Sequence, residues 1–140
     1  MAAKIQFSIV TPEKTVHQAE VDSVRVTTTL GEIEILSQHI PLVAELKPGS
    51  VAITDDGAER LIAVSTGFVE VRPDNSVIVL ADTADRAEDL DLAAIEKAQE
   101  AAKQVMEEKQ NVDEEAYAHA AASLERELAR ARVVRKQTRH

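Results

Sequence analysis

The sequence predicts an α+β protein: an antiparallel β-sandwich over residues 1–86, followed by an antiparallel two-helix hairpin over residues 87–140. Three observations predict it. Before Asp82, short apolar/polar alternations recur with turn residues between them at near-regular spacing, the pattern of an all-strand domain. After Asp82 the apolar period changes from two to three and four. The core material is aliphatic, since 44% of the 140 residues are hydrophobic and only 2% aromatic, which suits one small sandwich.

Each element follows from local pattern. Ile5, Phe7 and Ile9 alternate with Lys4, Gln6 and Ser8, a half-buried strand stopped at Thr11-Pro12. Residues 20–28 alternate again, Val24 and Val26 inward against Ser23, Arg25 and Thr27. Residues 31–49 read as strand, exposed bend, strand and turn. Ile33 and Ile35 alternate with Glu32 and Glu34, and the pattern breaks at Ser37-Gln38-His39 and resumes at Leu42. It ends at Lys47-Pro48-Gly49, where Pro stops pairing and Gly permits a turn. Val51 and Ile53 mark the next strand, Asp56-Gly57 a two-residue hairpin turn, and residues 61–64 the return. Residues 65–71 form a further strand, which Pro73-Asp74-Asn75 turns into residues 76–81.

Asp89 or Asp91 can cap the first helix, whose Leu92, Ile95, Ala98, Ala102, Val105 and Met106 share a face. Gln110-Asn111 ends it. Asp113 caps the second helix, with Glu114 and Glu115 in the dipole-favoured first turn. Tyr117, Ala121, Leu124, Leu128 and Ala131 form its apolar stripe. The short link implies an antiparallel pair. Its seam is largely alanine, so little apolar area holds the helices together, while each has the propensity to stay helical alone.

Composition excludes several function classes. A net charge of −9 disfavours nucleic acid and anionic lipid as main partners. The scarcity of aromatics argues against base-stacking or sugar-binding platforms. Residues 126–140 carry +5 and the rest −14. Such a tail either completes a helix C-terminus electrostatically or offers a strip to an acidic partner. There is no cysteine, hence no disulfide or thiol chemistry. No run approaches the ~20 apolar residues of a membrane span, and Met1 to Lys4 lacks the basic and apolar regions of a signal peptide. The expected setting is cytosolic, or peripheral on the cytosolic side of a larger assembly.

Catalytic constellations are missing. Gly31, Gly49, Gly57 and Gly67 stand singly, so no phosphate-cradling glycine loop is present, and no Ser sits in a nucleophile elbow. His17, His39, His119 and His140 have no spacing that suggests a metal site. Glu114-Glu115 reads as solvated helix surface rather than an acid/base pair. The chain reads as a non-enzyme without a metal.

The stretch 31–49 resembles the signature of the epsilon-subunit family of bacterial F-type ATP synthases, commonly G-E-(L/I)-G-(I/V)-L-P-x-H-x-P-L followed by L-K-P-G. Gly31, Glu32, Ile33, Ile35, Leu36, His39, Pro41, Leu42, Leu46, Lys47, Pro48 and Gly49 fit. Glu34 stands in place of the usual Gly, Ser37 of the usual Pro, and Gln38 of a usual Gly or Asn. Residues 65–71 resemble S-G-G-(F/I)-x-E-V with Thr66 for the first Gly, and residues 80–84 resemble L-A-D-x-A.

The resemblance implies a central-stalk rotor subunit on the cytoplasmic face of the bacterial plasma membrane, without insertion into it. Its sandwich would bind the gamma subunit and the c-ring, with Glu32, His39 and Pro41 as interface residues. Its helices would regulate ATP hydrolysis by the alpha/beta subunits, with Arg126, Arg130 and Arg132 meeting an acidic loop of the catalytic subunit. Some family members bind ATP in the folded hairpin. Here Leu90, Asp91, Arg126 and Arg130 match that motif, but Ala94, Ile95 and Ala101 stand at or near its other positions. No cofactor is expected, and ATP at most as a weak regulatory ligand, because charge-assisted phosphate partners are lost. An ATP-sensing hairpin and a free-standing adaptor that dimerises through its helices remain competing readings.

Overall fold

The computed structural model describes residues 3–138. Arg139 and His140, counted above in the basic tail and among the histidines, lie outside them, as do Met1 and Ala2. Ten strands precede two helices: β1 Ile5–Val10, β2 Thr15–Val21, β3 Ser23–Thr28, β4 Gly31–Leu36, β5 Leu42–Leu46, β6 Gly49–Asp55, β7 Ala58–Val64, β8 Gly67–Val71, β9 Ser76–Ala81 and β10 Ala84–Arg86. A 3-10 turn, Ala87–Asp89, leads to α1 Leu92–Lys109 and α2 Glu114–Thr138.

Hydrogen bonding runs in the order β10-β7-β6-β3-β5-β8-β9-β1-β2, with β4 also paired to β3. At the β3–β5 junction pairing is confined to Thr28 and Leu46, and the two halves fold onto each other there. The inward residues of both halves form one core that includes Ile5, Phe7, Val24, Val26, Ile35, Val51, Ile62, Val69 and Val79. Every pairing is antiparallel except β1 with β9, which run parallel from Gln6 opposite Ser76 to Val10 opposite Leu80.

Two readings of the sequence are corrected. Residues 20–28 are not one strand: Asp22 separates β2 from β3, and β2 pairs with β1. Gly49 is not a turn glycine. It opens β6 opposite Val64, and a Cβ there would meet Thr27 at 3.5 Å, an ordinary contact. Asp56 (φ 50) and Gly57 (φ 80) do form the two-residue turn, whose left-handed backbone matches the twist of β6 and β7.

The helices begin where their caps dictate. Asp91 accepts a hydrogen bond from the Ala93 N–H (3.1 Å), and Asp113 accepts one from the Ala116 N–H (3.0 Å). Asn111 (φ 63) reverses the chain between them. On α1, Ile95 and Ala102 are buried; on α2, Ala120, Glu127, Ala129, Ala131 and Val133. The expected stripe through Leu128 is thus wrong in part, since Leu128 is 37% exposed. The reason is that α2 has two neighbours. It packs on α1, and it also lies on the outer face of β6 and β7, where Val133 joins Ala52, Leu61, Ala63 and Ala87. This covering makes Leu61, Ile62, Ala63 and Val64 all buried, a continuous run where a one-sided strand would alternate. No described helix is long and apolar enough to cross a membrane.

Candidate interaction surfaces

The outer face of the β5-β8-β9-β1 half carries exposed apolar side chains among Glu45, Glu70 and Ser8, and no described helix covers it. Phe68 of β8 sits opposite Leu80 of β9, and Val10 of β1 sits opposite Leu80 on its other side. Val43 lies on the same face of β5, two residues from Glu45, the partner of Phe68. Val43, Phe68 and Leu80 are 67%, 52% and 47% exposed. Beside them opens a cleft of about 630 Å³ lined by Val10, Pro12, Phe68, Leu80 and Glu45 among others. Exposed apolar side chains interleaved with the carboxylates of Glu45 and Glu70 on one sheet face are the composition of a protein contact rather than of a ligand site.

Glu32, His39 and Pro41 are not brought together. Glu32 lies at the start of β4, opposite Thr27, with its carboxylate 3.4 Å from the Arg25 guanidinium. Fully exposed Leu30 marks that end. His39 and Pro41 follow the other end of β4, at least four residues or about 13 Å further along. His39 is tied locally: its N–H donates to the Leu36 carbonyl (3.1 Å), and its Nδ1 lies 2.7 Å from the Ile40 carbonyl oxygen. Pro41 and Ile40 are exposed. Near this end Asp22, Asp55 and Asp56 converge, and the Lys4 ammonium occupies the cluster, bonded to Asp55 and 3.4 Å from Asp56. That hydrogen bond to Asp55 is the main reason Lys4 titrates up at about 12.

The basic residues of α2 divide by environment. Arg130 donates to Asp85 of β10 through Nε (2.9 Å), with Nη2 2.7 Å from the same carboxylate oxygen, and to Glu127 through Nη1 (2.8 Å). Arg126 sits 3.6 Å from Glu127 and donates to Ser123 (3.4 Å), and its Nε is buried with no hydrogen-bond partner. Arg132 is exposed beside Lys47 and Pro48. Of the nucleotide candidates, Leu90 packs into the cluster under Val133, and the Asp91 carboxylate is committed to its helix cap. Arg126 and Arg130 face carboxylates where phosphates would need free cations. Of the acids that organise this site, Glu127 stands three residues before Arg130 on the same helix, a spacing that brings the two side chains together, whereas Asp85 lies on a three-residue strand that no spacing links to α2.

The model of the ATP synthase delta/epsilon chain β-sandwich domain matches residues 4–87. The chain is 44% identical over 106 residues to the ATP synthase epsilon chain of Anoxybacillus flavithermus, covering 76% of this chain and 78% of that one. It is 40% identical over 138 residues to the ATP synthase epsilon chain of Dehalococcoides mccartyi, covering 99% and 97%. The chain belongs to the ATP synthase delta/epsilon family. Its fold is shared with a chain of the Euglena gracilis mitochondrial ATP synthase (OSCP, F1 and c-ring), with a TM-score of 0.79, 22% identity, and 100% and 84% of the two chains covered. It is also shared with a chain of the Tetrahymena thermophila mitochondrial ATP synthase central stalk and c-ring, with a TM-score of 0.58, 20% identity, and 98% of each chain covered.

For a delta/epsilon chain, the bend at 37–38 departs from the usual residues, and the structure shows how it is held. Gln38 has φ 68, a left-handed backbone that favours Gly or Asn and costs another residue about 1–2 kcal/mol. Asn75 stabilises it. Its Oδ1 accepts from the Gln38 N–H (2.8 Å), and its Nδ2 donates to the Ser37 hydroxyl and the Lys4 carbonyl, each at 3.0 Å. Asn75 is itself left-handed (φ 66). Asn75→Gly keeps that backbone and removes only the amide, so it is expected to lower stability by about 2 kcal/mol in urea unfolding. Gln38→Gly is expected to recover about 1 kcal/mol of it.

Proposed function

We propose that this chain is a non-catalytic central-stalk subunit of a rotary ATP synthase, peripheral on the cytoplasmic face of the membrane. Its sandwich binds the gamma subunit and meets the c-ring, so that rotation driven by proton flow reaches the catalytic alpha/beta subunits. Its helical hairpin restrains ATP hydrolysis there. The observation that carries the reading is the exposed row of Phe68 and Leu80, with exposed Val43 diagonal to it, in a chain of this family. We assign that row to gamma. The interface candidates then serve two contacts, Glu32 at one end of β4 and His39 with Pro41 at the other.

The test is assembly. Phe68→Asp together with Leu80→Asp puts two charges on the row without touching the core. The doubly substituted chain is expected to fold but to lose co-purification with gamma. Normal co-purification would overturn the assignment. The hairpin's restraint rests on the basic strip of α2, with Arg126, Arg130 and Arg132 offered to an acidic surface of the catalytic subunit. ATP is at most a weak ligand of the hairpin, because Arg126 and Arg130 are already engaged with acids. Millimolar ATP should leave the melting temperature unchanged, and micromolar binding by calorimetry would contradict this.

A further inference from the structure

We propose that Asp85 and Arg130 form an ionic latch that holds the C-terminal half of α2 on the sandwich, and that Arg130 becomes available to an acidic protein surface only when this latch opens. The proposal rests on the regulatory reading of the hairpin given above.

The latch joins separate parts of the fold. Asp85 lies on β10, opposite Ala63 of β7 at the margin of the sandwich. Arg130 lies 45 residues later, on α2. One carboxylate oxygen of Asp85 receives two guanidinium nitrogens, at 2.9 and 2.7 Å. The side chains are 31% and 21% exposed, so solvent screens this pair less than an ordinary surface pair. Arg126 and Arg130 also pair with Glu127, and Arg135 with Glu96, contacts that lie within the hairpin and survive if it leaves as a unit.

Apolar contact alone holds the hairpin weakly to the sandwich. Val133 and half-buried Leu90 rest on Ala52, Leu61, Ala63 and Ala87, four partners of which three are alanine. Burial scales with area, and alanine offers little. The charges decide where α2 sits. When docked, Arg126 and Arg130 are balanced by Glu127 and Asp85. When α2 moves away, Glu127 travels with it and Asp85 stays behind, so the patch gains one positive charge and two free guanidinium donors. That surplus fits a carboxylate on another protein.

The test uses the full chain, which has no cysteine, so spin labels attach only where cysteines are introduced. Lys47 and Leu128 line one groove between the sandwich and α2 and are suitable label positions. The unsubstituted latch is expected to give one short inter-label distance. Asp85→Asn, which keeps the β10 backbone pairing, should raise a longer-distance population about five-fold or more. Arg130→Gln should do at least as much, since it also takes a partner from Glu127, and Asp85→Asn should add nothing to Arg130→Gln, because the latch is already gone. If Asp85→Asn does not fold, Asp85→Ala takes its place, because Arg130→Gln alone also strips a partner from Glu127. Unchanged distances in folded variants overturn the latch, whatever hydrolysis does. If the variants open the hairpin and hydrolysis by the assembled complex stays the same, the latch stands and the regulatory reading falls.

Discussion

Gly67→Ala is expected to cost about 3 kcal/mol or more and to part β8 from β9 at the start of their ladder. A Cβ at this position would lie 1.9 Å from the Leu80 carbonyl oxygen and 2.8 Å from the Ala81 Cα. Both are backbone atoms, and Leu80 is also paired to β1 on its far side, so neither can yield cheaply. The glycine is needed for close approach and not for a left-handed turn. Gly49→Ala is the control: its nearest neighbour would be Thr27 at 3.5 Å, and a loss below about 1 kcal/mol is expected. Urea unfolding followed by far-ultraviolet circular dichroism measures both. Equal midpoints for the two variants would show that the sheet at Gly67 is more compliant than its geometry indicates.

Glu127→Ala is the second large effect, and it falls on the hairpin. Glu127 is 4% exposed, with Arg130 at 2.8 Å and Arg126 at 3.6 Å. Removing the acid leaves two guanidinium groups against one remaining carboxylate, Asp85. Breaking a buried pair from one side costs about 3–5 kcal/mol, and the partial exposure of both arginines reduces this to about 2–3 kcal/mol. Hydrogen exchange should show the α2 amides opening faster while the sandwich amides keep their protection. Uniform loss of protection across both parts would mean that the hairpin and the sandwich unfold as one unit.

Much of this fold is legible in the sequence, because a strand with one buried face alternates and these strands do. Ile5, Phe7 and Ile9 in β1 and Val24 and Val26 in β3 are inward as the alternation requires. β2 escapes because its inward positions include half-buried Val16 and Ala19, too small a contrast with their neighbours to mark a strand. Gly49 misleads because Pro-Gly reads as a turn whether the reversal falls before the glycine or at it. The run Leu61 to Val64 held a usable signal: four consecutive apolar residues in a short strand mean that both faces are covered, and α2 is the cover. The α2 burial departs from a single stripe because one helix serving two neighbours does not bury a single line of residues. The interface candidates carried over by resemblance gave no hint that β4 separates Glu32 from His39 and Pro41. Glu127 held a local signal, its i,i+3 spacing to Arg130 on one helix, whereas Asp85 follows from tertiary proximity alone, which no local pattern records.

In the proposed function the hairpin restrains hydrolysis while the sandwich holds the subunit in the rotor. The most direct measurement is ATP hydrolysis by the purified F1 complex, carrying either the intact chain or one truncated after Asp89. A several-fold rise on truncation, with the truncated chain still in the complex, is the predicted result. Unchanged hydrolysis in a fully assembled complex would contradict it and leave this subunit as a coupler alone.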